Sequence, residues 1–175
     1  MEALPYPSTL SGIERIAGTL RGKLDPEIID NSEILRALVD RTGGKITVVD
    51  DPTDQEAAGG SLIINGEGDY TIFLSPYTSP VRDNFTIAHE LGHYVLHYYP
   101  QKEKLEVPIR FTRYGTGLVE WQANRFAAAL LMPAVLFKEK VKEYNRNVSL
   151  LAGHFCTSPQ AVEIRMSTLK CAGTE

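Results

Sequence analysis

FTIAHELGHYVLHYY, residues 85–99, decides how the rest of the chain is read. It holds three of the four histidines of a 175-residue chain within nine positions, with a glutamate beside the first. Ser79–Pro80 precede it, Pro100 ends it, and only one glycine lies between. Those are helix start and stop signals, so a helix of about five turns is predicted. Inside it, His89-Glu90-Leu91-Gly92-His93 is an HExxH string. Residues i and i+4 share a helix face about 6 Å apart along the axis, so both imidazoles can reach one Zn²⁺ at about 2.0–2.1 Å. Glu90 sits one step around the helix, where it can touch a water in the ion's open position without binding the ion. Metal-assisted hydrolysis requires its general base there. The bland alternative is a solvated histidine face. Ile87, Ala88, Leu91, Tyr94, Val95 and Leu96 surround the motif and speak for burial on one side and a cleft on the other.

A catalytic zinc needs a third protein ligand. His97 lies eight residues beyond His89, about 12 Å along a straight helix, too far for one ion to bind both ends. The metzincin arrangement would need Gly at 96 and His at 99, where this chain has Leu96 and Tyr99. His97 therefore reads as a partly exposed helix residue or a group supporting the ligands. Glu120 leads the candidates, at the start of the helix EWQANRFAAALLMP (120–133). Asn124 follows at i+4 on the same face, where its side-chain oxygen could accept a hydrogen bond from a ligand imidazole and fix its tautomer. Ala123, Ala127 and Ala128 keep part of that helix narrow, as close approach of two ligand-bearing helices demands. The alternative for Glu120 is a first-turn glutamate stabilised by the helix dipole. Glu103 and Glu106 are competing ligands in the stretch 101–117, which reads as a loop.

The remaining elements suggest an α+β fold, mostly helical with a small three-stranded sheet. Residues 1–25 read as an N-terminal tail and a helix (GIERIAGTLRGKL), and 26–175 as the main domain. Asp25–Pro26 resemble an N-cap and N1 ahead of a helix carrying Ile34, Leu35, Leu38 and Val39 and closed by Gly43–Gly44. KITVVD (45–50), SLIING (61–66) and YTIFLS (70–75) read as strands, the last two forming a hairpin about NGEGD (65–69). PAVLFKEKVKEYN continues the helices, and 145–170 reads as a helix-turn-helix-like pair whose second helix starts at Ser158–Pro159.

Composition bounds the function classes. Hydrophobic content is 43% and charged content 23%, ordinary for a globular protein, and the net charge of −4 excludes a whole-molecule electrostatic nucleic-acid binder. MEALPYPSTL is not a signal peptide, and no apolar run approaches the ~20 residues of a membrane span. Cys156 and Cys171 form no CxxC. A cytoplasmic, reducing location is the expectation.

The strings FTIAHELGHYVLH (85–97) and EWQANRFAAALLMP (120–133) together resemble the ImmA/IrrE family of zinc metallopeptidases, with a looser likeness over 151–169. The resemblance implies a gluzincin-like site with one Zn²⁺ on His89, His93 and Glu120, Glu90 as general base, and Asn124 supporting a ligand. It also implies a protein substrate, a helix-turn-helix repressor of a phage, mobile element or stress regulon, cleaved in trans. Tyr114, Arg110, Arg113 and His97 are candidates for oxyanion or substrate contact, and YTIFLS for the edge that binds substrate as an added strand. The rival function is a non-cleaving, zinc-bound regulatory or toxin–antitoxin component that binds a repressor, or DNA through its C-terminal helices. Against DNA, the second of those helices carries only Arg165 and Lys170 as cations, and Glu163 repels phosphate.

Overall fold

The computed structural model describes residues 4–25, 30–49, 61–112 and 117–171. Helix α1 (Leu10–Arg21) is capped by Thr9, and α2 (Asn31–Arg41) by the Asp30 carboxylate, which accepts from the amides of Ser32 and Glu33. The start expected at Pro26 lies outside the described residues. Four strands follow or interleave: β1 (Gly44–Val48), β2 (Ser61–Gly66), β3 (Asp69–Leu74) and β4 (Ile109–Thr112). The last helices are α4 (Leu118–Leu131), α5 (Ala134–Glu143), α6 (Val148–Phe155) and α7 (Pro159–Thr168).

The α+β class holds, with two corrections to the sheet. It has four strands, ordered β1-β3-β2-β4, because part of the expected loop 101–117 pairs antiparallel with β2. IRFT is too short to announce itself by alternation, and pairing with Ile64–Ser61 is what makes it a strand. Second, β3, which contains most of YTIFLS, is an inner strand. It pairs parallel with β1 and antiparallel with β2, so its backbone groups are spent on both sides. The free edges belong to β1 and β4. The β2–β3 hairpin is as the turn residues predict, with Gly68 at φ +70°.

The long helix also departs from a uniform α ladder. Ser79 caps it and Pro80 opens it, as expected. Helix α3 runs from Pro80 to Gly92, a π-helical turn spans His93–Tyr98, and a 3₁₀ segment carrying Pro100 spans Tyr99–Lys104. Such widened turns occur at functional sites.

Leu62, Ile64, Tyr70, Ile72 and Leu74 form the buried face of the sheet and join one core with Leu91 and Leu96 of the long helix and Phe126 and Leu130 of α4. Tyr70 stacks on Tyr94 at 4.1 Å between ring centroids. Helix α4 packs against α3 on one side and α1 on the other. Leu4–Ser8, expected as a loose tail, is held by hydrogen bonds to Gln101 and Gln122. The α6–α7 pair turns through Cys156, in the left-handed region, and Ser158 caps α7. No helix among the described residues is long and apolar enough to cross a membrane.

Candidate metal centre

Helical spacing across the junction of α3 and the π-helical turn puts His89 and His93 side by side, and both are buried, His93 to 1% exposure. Their Nε2 atoms stand 3.0 Å apart. Glu120, in the first turn of α4, spans the pair: one carboxylate oxygen is 3.2 Å from His89 Nε2 and the other 3.2 Å from His93 Nε2. Two ligands of a tetrahedral ion at about 2.0–2.1 Å lie about 3.3–3.4 Å apart, so this triangle needs to open only slightly to hold one. Among the described residues these three form the group able to hold a metal ion. Glu103 and Glu106 are exposed and lie outside it.

The donor chemistry agrees. Two neutral imidazoles and one carboxylate suit a divalent ion. Burial pushes the His93 pKa down, against the opposing pull of Glu120, and so favours a neutral ring. Burial opposes ionisation of Glu120, but its hydrogen bonds and charge interactions with His89 and His93 outweigh that and hold the carboxyl at about 2. The three groups therefore converge their donor atoms on one point, where a bound cation would replace the hydrogen bonds between them.

Supporting contacts surround the triangle. His89 Nδ1 lies 3.0 Å from Asn124 Oδ1, the contact expected of a ligand imidazole. His93 stacks on Phe111 of β4, centroids 4.8 Å apart. Glu90 is 1% exposed, on the same helix as the two histidines. His97 is fully buried rather than partly exposed. The turn geometry brings its Nδ1 to 3.1 Å from His93 Nδ1, and its Nε2 lies 3.0 Å from Gln122 Oε1. Burial drives its pKa down to about 4. Both ring nitrogens are thus spent inside the protein, which is a support position rather than a substrate-facing one. Arg110 is exposed on β4, where strand alternation turns it to the sheet face opposite Phe111. Arg113 and Tyr114 lie outside the described residues.

Reading the sequence missed Phe111, Gln122 and the backbone of Tyr6. One signal existed for Gln122: it is a neutral polar residue between Trp121 and Ala123 in a helix whose next turns are apolar. Phe111 had none, since its role depends on strand pairing.

The profile of the IrrE N-terminal-like domain, Peptidase_M78, matches residues 44–167. The chain belongs to this family. Membership in Peptidase_M78 agrees with the metal-holding triangle, since both histidines and Glu120 fall within the matched stretch. Helix α1 and the segment before it precede the part that defines this IrrE-like domain. A solved structure of a Mycobacterium tuberculosis transcriptional regulator is similar in fold, with a TM-score of 0.59 and 16% identity over 90% of this chain. The match spans 46% of that regulator's own length. No curated protein matches the sequence.

Proposed function

We propose that the protein is a zinc-dependent endopeptidase that cleaves a protein substrate, a helix-turn-helix repressor acted on in trans. The observation that carries this reading is the buried convergence of His89, His93 and Glu120 beside Glu90, within a peptidase family. When bound there, zinc would supply a water of lowered pKa and polarise the scissile carbonyl. The chain's own residues would do the rest. Glu90 takes the proton from the attacking water and delivers it to the leaving amine. Asn124 holds His89 by its far nitrogen, so that Nε2 keeps its lone pair. Phe111 covers the His93 ring and excludes water from it.

Two features support an extended peptide as substrate. The outer edge of β4 has no strand partner among the described residues, and its Phe111 touches a ligand, so a strand added there would run past the metal. A cavity of about 740 Å³ lies between α3, α4 and α7, with Asn124 in its wall. Phe85, Trp121 and Ile164 give it apolar anchors, and Arg82 and Arg125 give it positive charge with no acidic residue in the lining. That favours a segment with apolar and acidic side chains.

The DNA-binding alternative loses its main cation. Arg165 is 1% exposed and pairs with Glu14 and the Met132 carbonyl, so it does not face phosphate. The deciding experiment incubates the zinc-loaded protein with candidate helix-turn-helix repressors from the same genome and reads intact masses. Two fragments summing to the repressor plus one water support the peptidase. An intact repressor held in a stable complex favours the non-cleaving regulator.

A further inference from the structure

The buried hydrogen bonds behind His93 form a chain whose proton positions follow from groups that have no choice. Tyr6 presents a backbone N–H, which can only donate, and a carbonyl, which can only accept. Its N–H donates to Gln122 Oε1 at 2.8 Å, and its carbonyl accepts from Gln122 Nε2 at 2.7 Å. A flipped Gln122 amide would set donor against donor and acceptor against acceptor, so the amide orientation is determined. Gln122 Oε1 must then act as acceptor toward His97 Nε2, 3.0 Å away, which puts the His97 proton on Nε2. A fully buried neutral His97 has a bare Nδ1, and that atom faces His93 Nδ1 at 3.1 Å. His93 must therefore carry a proton on Nδ1, and its Nε2 lone pair is left for the metal. The opposite His93 tautomer would need a bare His97 Nε2 against the Gln122 oxygen.

We propose that Gln122 and His97 are positioning residues that, referenced to the backbone of Tyr6, select the metal-binding tautomer of His93. The anchor is well made for this. Pro5 and Pro7 flank Tyr6 and restrict the segment, and neither has an N–H. Two residues earlier, Gln101 grips Leu4 in the same reciprocal way, at 3.2 and 2.8 Å, and also donates to the His97 carbonyl at 3.1 Å. The strap Leu4–Ser8 thus meets His97 through both glutamines. The strap lies outside the residues that match the family, while His97 and Gln122 lie within them. The two ligand histidines are held differently. Asn124, which supports His89, is exposed, whereas Gln122 is 1% exposed.

The proposal rests on His93 being a ligand, but its test does not. Histidine side-chain ¹⁵N spectra of the full chain in EDTA report which ring nitrogens carry protons. The expected result is His97 protonated at Nε2 alone and His93 protonated at Nδ1. In Gln122→Met, of similar length but without the amide, the His97 signals should become a tautomer mixture. The zinc dissociation constant, measured by chelator competition, should rise about 10–100-fold. Tyr6→Pro removes one N–H from outside the core and should shift both readouts the same way, whereas Tyr6→Phe should shift neither. Should Gln122→Met misfold, Tyr6→Pro against Tyr6→Phe decides. A His93 bare at Nδ1 in the parent, or unchanged tautomers and zinc affinity in the variants, overturns the proposal. Failure of the parent to bind zinc at all, with the expected tautomers present, would instead remove the metal reading and leave the hydrogen-bond chain standing.

Discussion

Gly92 of α3 lies directly against Ala123 of α4: a Cβ built on Gly92 would stand 3.3 Å from the Ala123 Cα and carbonyl oxygen and 3.0 Å from the Phe126 ring. The two helices that carry the candidate metal ligands approach closely because Gly92 has no side chain to hold off the Ala123 backbone and the Phe126 ring. In Gly92→Ala the Ala123 backbone and the Phe126 ring would have to give by a few tenths of an ångström. Overpacking of this kind costs about 1–3 kcal/mol. The larger effect should be on the site, since Glu120 rides on the displaced helix. Urea denaturation and zinc titration together check this, and a variant with parent-like zinc affinity would show that the crossing does not set the ligand triangle.

Glu120→Ala removes the carboxylate that spans the two imidazoles. Metal analysis of the purified parent should find about one zinc per chain and the variant far less, while Glu103→Ala and Glu106→Ala should match the parent. Metal removal from the parent by chelation should lower its thermal midpoint, because an ion bound only by the folded state stabilises it. Zinc retained in Glu120→Ala would transfer the third-ligand role to another residue.

Glu90→Gln keeps the shape of a buried side chain but loses its basicity. Zinc content should be unchanged, and cleavage should fall by roughly 10²–10⁴-fold. Loss of zinc together with activity would mean that Glu90 builds the site rather than moving a proton.

Arg165 crosses from α7 to the first helix, where both oxygens of Glu14 accept from its guanidinium, with the Met132 carbonyl taking further bonds at 2.8 and 3.0 Å. Glu14→Ala leaves a buried cation without its carboxylate and should destabilise the fold by about 3–5 kcal/mol. The pair Glu14→Leu with Arg165→Met should recover much of that loss, which chemical denaturation of the three variants measures. Equal stability of the single and double variants would contradict a charge-burial origin.

Alkaline stability should depend on Tyr70. Burial raises its pKa above the ordinary value near 10, partly offset by its hydrogen bond with Thr42. The folded pKa lies above the unfolded one, so the contribution is complete below pH ~10 and is lost as pH rises toward the folded value. Tyr70→Phe should cost about 1 kcal/mol at neutral pH, from the missing hydrogen bond. It should also flatten the decline in stability above pH ~10. An unchanged alkaline slope in urea titrations from neutral to high pH would place the titration elsewhere.

Each feature legible from the sequence depends on residues within a turn or two of one another. The i, i+4 histidines of HExxH, the Ser79–Pro80 helix start and the β2–β3 hairpin are local, and their hydrogen bonds and side-chain directions follow from spacing alone. Asn124 was legible for the same reason once Glu120 was placed on its helix. Glu120 led the candidates in the sequence, but only the tertiary structure brings it to the two imidazoles and leaves Glu103 and Glu106 outside the group, because that depends on how α4 packs on α3. It alone made residues 109–112 an edge strand and β3 an inner one, since strand order is settled by pairing between distant segments. It also buried His97 and Arg165, whose charges and polarity would place them at the surface by composition. Their partners, Gln122 and Glu14, stand 25 and 151 residues away along the chain, and no local pattern reports a contact that only the packed core creates.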